Sequence, residues 1–120
     1  NFGHTVGHAI ETLQSRTADP WRHGEAVAVG MVAACRIGVA AGRLSRPDAD
    51  RIVALIEGMG LPIRAHLADH RPEIHKLMAL DKKVAAGRTR FALADRIGRA
   101  TLYDDVQPAW IETALDRILA

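Results

Sequence analysis

Aromatic side chains are scarce in this chain. Two Trp, one Tyr and two Phe make up 4 % of its 120 residues, so the core has to be built from Ala, Leu, Ile, Val and Met, which favours closely packed helices. Cysteine is scarcer still. Cys35 stands alone, which excludes an intrachain disulfide and fits a reducing, cytoplasmic setting. No apolar run approaches the roughly 18 residues of a membrane span, and no signal peptide precedes the body, so a membrane is not an expected partner. An excess of one charge is also missing: 16 Lys and Arg stand against 14 Asp and Glu, for a formal net charge of +2. The arginines are scattered among acidic residues rather than gathered into a basic stripe, so nucleic acid is not expected either. Repeats, low-complexity linkers and a glycine-rich phosphate loop after a strand are all lacking. An initiating Met is absent too. The chain opens at Asn1 inside what reads as a functional motif, and the expectation is a piece of a longer protein with its N-terminal portion removed.

What remains suits one mainly α domain over residues 1–120 with one small β-hairpin. Val6, Ala9, Ile10 and Leu13 recur at helical spacing in a first helix, Phe2 to Gln14. Ser15 to Arg22, with Asp19-Pro20, reads as a loop. Glu25 to about Ala41 is apolar nearly all round, which predicts a central buried helix. Gly30 and Gly38 within it mark close helix crossings, and Gly42 is a candidate for its end. Ser45 caps a third helix running to about Met59, with Ile52, Leu55 and Ile56 expected on its inner face and Gly60 closing it. A fourth helix is expected from Pro72 to about Leu80, interrupted by Asp81-Lys82-Lys83. Thr89–Ala94 and Arg99–Tyr103 alternate as a hairpin. Gln107 to Leu119 forms the last helix, with Trp110, Ala114, Leu115 and Ile118 facing in.

The chemistry concentrates in the first twenty-five residues, which hold three of the six histidines. On a helix, His4 and His8 stand one turn apart on one face, with Glu11 beside them. Gly3 and Gly7 leave that side of the helix bare for close approach by a backbone or ligand. His23, flanked by Gly24 and Glu25, can be folded back against the pair. Two stacked imidazoles plus a third from a neighbouring element is one way a nitrogen-rich divalent metal site is assembled. The competing account is three partly buried histidines bonded to nearby carbonyls. Glu11 and Glu25 are candidates for fixing histidine tautomers, although Glu25 equally suits the first turn of its own helix. Asn1 offers an amide to a hydroxyl or phosphate oxygen. Asp81-Lys82-Lys83 reads as either an anion site or a solvated turn. His66, His70 and His75 look like surface residues.

Asn1-Phe-Gly-His-Thr-Val-Gly-His-Ala-Ile-Glu11, His23-Gly-Glu-Ala-Val-Ala-Val-Gly-Met31, Asp81-Lys-Lys83, Arg90-Phe91 and Ile97-Gly98 together resemble the C-terminal domain of 3-dehydroquinate synthase. The resemblance covers essentially the whole chain. It implies the helical C-terminal domain of dehydroquinate synthase-like enzymes, a shikimate-pathway lyase that closes 3-deoxy-D-arabino-heptulosonate 7-phosphate to 3-dehydroquinate and phosphate. Catalytic NAD, bound mainly by an absent N-terminal domain, and Zn2+ or Co2+ are the implied cofactors. By the same resemblance, His4 and His23 ligate the metal with a glutamate from outside this chain, and His8 is the catalytic proton-transfer candidate. Asn1, His8 and Lys82 or Lys83 are the implied substrate contacts. A homo-oligomer is a further expectation, and the piece alone is expected to lack turnover. Related sugar-phosphate cyclases of the 2-deoxy-scyllo-inosose or valiolone type share these motifs. More distant rivals are a polyol dehydrogenase of the glycerol-dehydrogenase kind and a non-catalytic helical interaction domain.

Overall fold

A computed structural model of the chain describes the backbone of residues 4–17, 20–84, 91–96, 99–103 and 107–119, and the side chains of residues 6–17, 20–80 and 107–119. Among the described residues, five helices carry the architecture: α1 His4–Gln14, α2 His23–Ala40, α3 Arg46–Gly58, α4 Arg71–Val84 and α5 Pro108–Ile118. A 3-10 turn, Ala68–His70, leads into α4. Two extended segments, β1 Phe91–Arg96 and β2 Arg99–Tyr103, lie between α4 and α5 in antiparallel register, Phe91 opposite Tyr103 and Ala94 opposite Ala100. Residues 97–98 between them, part of the expected hairpin, lie outside the described residues.

Helix α2 is the centre. Ala26, Ala28, Val29, Gly30, Val32, Ala33, Ala34, Cys35, Ile37 and Gly38 are buried, and α1, α3 and α5 pack around it. By length and composition alone α2 is apolar enough to cross a membrane, which corrects the expectation that no run comes close. Its apolar residues instead meet other helices, as a core helix apolar all round requires. From α1, Val6, Ala9, Ile10 and Leu13 enter the same core, and from α5, Ala114, Leu115 and Ile118. Trp110 is half-buried against it.

The helix ends follow local chemistry. Ser45 accepts a hydrogen bond from the Asp48 amide to start α3, satisfying a donor the helix cannot use. Gly42, at φ +73, and Gly60, at φ +79, reverse the chain after α2 and α3 in the left-handed region that a Cβ disfavours.

Two expectations need correction. The inner face of α3 is Ala49, Val53 and Ile56, with Ile52 half-buried, whereas Leu55 is 66 % exposed. The stripe at i, i+4 and i+7 from Ala49 turns Leu55 toward solvent. Helix α4 does not stop near Leu80 but continues through Asp81, Lys82 and Lys83 to Val84. Lysine is a good helix former, and no Gly or Pro intervenes before Gly87, so the loss of apolar residues there marks a polar stretch of helix rather than its end.

Arg71 ties α4 to α5. Its guanidinium donates to the Glu112 carboxylate at 2.6 Å, to the Glu112 carbonyl at 3.0 Å and to Asp116 at 2.7 Å. The bonds to Asp116 and then Glu112 hold its pKa above the ordinary value. His75 adds a 3.0 Å contact to the other Glu112 oxygen. Behind these, the Ala65 amide donates to the Ile118 carbonyl at 2.8 Å, in a single parallel bridge between Ala65 and Leu119.

Candidate metal and substrate site

The site forms where the start of α2 crosses α1. At Gly7 the backbone of α2 comes so close that a Cβ there would sit 3.3 Å from the Ala26 carbonyl oxygen and 3.4 Å from the Val27 Cα. Any larger residue would push the helices apart. This contact is why the side of α1 is left bare, and it brings the first turn of α2 over His8 and Glu11.

Arg22, in extended conformation, precedes α2. Its amide donates to the Glu25 carboxylate at 2.9 Å, so Glu25 is used in holding the helix start. His23 is the first residue of α2, and its ring centroid lies 6.4 Å from that of His8, the planes inclined at 49°. The Glu11 carboxylate meets His23 Nδ1 at 2.9 Å. His8 is half-buried, while the His23 side chain is 60 % exposed and open to a ligand.

The expected site residues thus divide into two groups. His8, His23 and Glu11 come together from two helices. His4 opens α1, one turn before His8, and Lys82 and Lys83 lie in the last turn of α4, but their side chains are outside the described residues, as is Asn1 altogether. His66 is exposed, and His70 and His75 face Glu73 and Glu112 on another part of the surface.

The donors present fit a divalent metal. A histidine whose Nδ1 faces a carboxylate keeps its Nε2 lone pair available, the usual arrangement of a metal-ligating imidazole, and imidazole nitrogen suits zinc-like cations. Among the described residues no group of three His, Cys, Asp or Glu is placed to hold a metal, so a complete ligand set has to draw on donors beyond them.

One feature escaped sequence reasoning. Arg36, Val39, Ala40, Arg46, Thr113 and Arg117 line a cavity of about 180 Å3 between α2, α3 and α5. It lies thirteen residues along α2 from His23, roughly 20 Å at the helical rise, and is separate from the histidines. Arginines drawn from three helices carry no shared spacing that a sequence would display.

The comparisons with known proteins agree with this architecture. A family model described as "3-dehydroquinate synthase C-terminal" matches residues 1–84. A 3-dehydroquinate synthase from a Synechococcus strain is 42 % identical over 118 residues, 98 % of this chain and 32 % of the relative. One from Nitrosospira multiformis is 41 % identical over 120 residues, all of this chain and 32 % of the relative. The chain therefore spans about a third of the length of the curated relatives it matches. In fold, it superposes with a TM-score of 0.82 on 2-epi-5-epi-valiolone synthase from Streptomyces hygroscopicus subsp. jinggangensis, solved with NAD+ and Zn2+ bound. That match is 24 % identical and covers 95 % of this chain and 31 % of the other. A 2-deoxy-scyllo-inosose synthase in complex with carbaglucose-6-phosphate, NAD+ and Co2+ superposes with a TM-score of 0.73 at 23 % identity, covering 98 % and 34 %. With the family model spanning most of its residues and relatives above 40 % identity covering nearly all of them, the chain belongs to the 3-dehydroquinate synthase C-terminal domain family.

Proposed function

We propose that this chain is the metal- and substrate-bearing part of a 3-dehydroquinate synthase, which converts 3-deoxy-D-arabino-heptulosonate 7-phosphate to 3-dehydroquinate and phosphate. The observation that carries the reading is the junction of α1 and α2, where His8 and His23 face each other at 6.4 Å with Glu11 bonded to His23. When bound, a divalent metal would supply polarisation of the hydroxyl and carbonyl at the carbon being oxidised, and NAD would supply reversible hydride acceptance. His23, with His4 and a carboxylate from outside the chain, would hold that metal. His8 takes and returns a proton at a substrate hydroxyl, since imidazole is the side chain best matched to proton transfer near neutral pH. Asn1 hydrogen-bonds a substrate oxygen. Lys82 or Lys83 offers a point charge to the substrate's phosphate or carboxylate. The whole of residues 1–120 acts as one domain, with NAD held mainly by residues beyond it.

The related cyclases that share the fold are the second reading. The identities favour the first, above 40 % against 23–24 %. A cytoplasmic setting fits the single buried thiol, Cys35. The exposed Leu55, Met59 and Leu80 fit surfaces covered by the rest of the protein or by a second copy.

The test is turnover by the full-length protein with NAD and Zn2+ or Co2+, read as phosphate release and 3-dehydroquinate formation. The expected result is turnover of this substrate, a loss of about 10²–10⁴-fold in His8→Ala, and none from residues 1–120 alone. Turnover confined to another sugar phosphate would shift the assignment to a related cyclase. Net accumulation of NADH would shift it to a dehydrogenase. Unchanged metal binding in His4→Ala and His23→Ala would remove the site.

A further inference from the structure

We propose that Glu11 is the positioning residue for His23: its carboxylate holds the Nδ1 hydrogen of that imidazole and so dictates that Nε2 carries the lone pair offered to a divalent cation. This rests on the reading of His23 as a metal ligand. It adds which carboxylate prepares the ring, and how.

Three observations lead there. First, the contact is short and comes from another helix: Glu11 Oε1 on α1 meets His23 Nδ1 on α2 at 2.9 Å. A carboxylate only accepts, so the nitrogen facing it has to carry the hydrogen. A neutral imidazole free in water populates both tautomers, and one of them points its lone pair at Nδ1, where no cation could reach it past Glu11. Second, the other nearby carboxylate is occupied, since Glu25 accepts from the Arg22 amide at 2.9 Å. Third, the ring is 60 % exposed, so packing alone does not hold it. The Glu11 bond fixes its rotation, while the Gly7 crossing sets the distance over which Glu11 reaches. Glu11 lies three residues after His8 on the same face of α1. The residue that orients His23 is therefore built into the same rigid helix as the proposed proton-transfer group.

The experiment uses full-length protein with Glu11→Gln and Glu11→Asp. Gln keeps the shape of the side chain and can bond Nδ1 either as acceptor or as donor, so it no longer selects a tautomer. Asp keeps the charge but falls short by one methylene. Histidine 15N shifts of the metal-free protein, at about pH 8.5 where an ordinary imidazole is neutral, are expected to show His23 almost wholly as the Nδ1–H form in the parent. Both variants are expected to show a mixture, with unaltered circular dichroism. Zn2+ affinity, read by chelator competition, is expected to fall about 10–100-fold in both. A parent-like tautomer in Glu11→Gln, or in Glu11→Asp, overturns the proposal, the second because charge without contact would then suffice. If the parent holds His23 as the Nδ1–H form and the variants do not, yet none binds Zn2+, the positioning stands and the metal reading fails, so the two failures are distinguishable.

Discussion

Replacing Gly7 with Ala sets two effects of known size against each other. Alanine is the better helix former by about 1 kcal/mol, so in an open position the change would stabilise α1. The new methyl would lie 3.3 Å from the Ala26 carbonyl oxygen and 3.4 Å from the Val27 Cα, where carbon contacts prefer about 3.5–4.0 Å. The obstruction is backbone, so it cannot swing aside as the tip of a flexible side chain would, and α1 must move off α2 by a few tenths of an ångström. Overpacking of this kind costs about 1–3 kcal/mol. Crowding therefore wins, with a net destabilisation of about 1 kcal/mol. For a urea slope of about 2 kcal/mol/M, that lowers the unfolding midpoint by about 0.5 M. Gly24→Ala is the internal control. It alters a glycine on the other helix of the same junction, where nothing lies within 4 Å of the added Cβ, and its expected effect runs from nothing to about 1 kcal/mol of stabilisation. The assay is equilibrium urea unfolding of the chain by circular dichroism. Equal stabilisation by the two alanines would refute the argument that Gly7 is there for the crossing.

Cys35 is fully buried, and burial pushes its thiol up to about 11 from an ordinary 9.0, outweighing the opposing charge of Arg36. A thiol-specific reagent should therefore react at the rate of unfolding at pH 8. Because the folded thiol holds its proton more tightly, this contribution to stability is intact below pH 9 and is lost as pH rises through about 11, which a pH series of urea midpoints would show. Arg71→Met removes the ties to Glu112 and Asp116. With the guanidinium nearly a third exposed and screened, the expected loss is about 1–2 kcal/mol by urea titration, and high salt should narrow the gap to the parent. Ile10→Ala empties a fully buried position between α1 and α2 and should cost about 2–5 kcal/mol. A cost below 1 kcal/mol would mean that α1 does not pack as described.

Much of the helical frame was legible because burial and sequence share a period. Val6, Ala9, Ile10 and Leu13 announced the inner face of α1 and are all buried, and Gly42 and Gly60 announced turns that need positive φ. The phase of α3 was misread at Leu55, where a large apolar side chain faces solvent. Hydrophobicity names residues that can be buried, and only the partner helix decides which are. The length of α4 was misread because a charged stretch looks the same as a helix end when no tertiary contact is known. At the site, the spacing of His4, His8 and Glu11 was visible, and so was the nearness of His23 in sequence. Which carboxylate serves His23 was not visible, since the choice between Glu11 and Glu25 depends on how α2 begins and where it crosses α1.

The hydrogen bond from the Ala65 amide to the Ile118 carbonyl works as a clasp on a long excursion of the chain. Everything leaving at Ala65, α4 included, returns to the same place through α5, and Arg71 fastens the two helices again partway out. Such a doubly fastened lobe should open as one unit rather than fray from its end. The pairing of His8, Glu11 and His23 lies wholly outside that lobe, in the first two helices. Because α4 packs on α1 and α5 on α2, an opening of that lobe would bare both helices that carry the histidine junction.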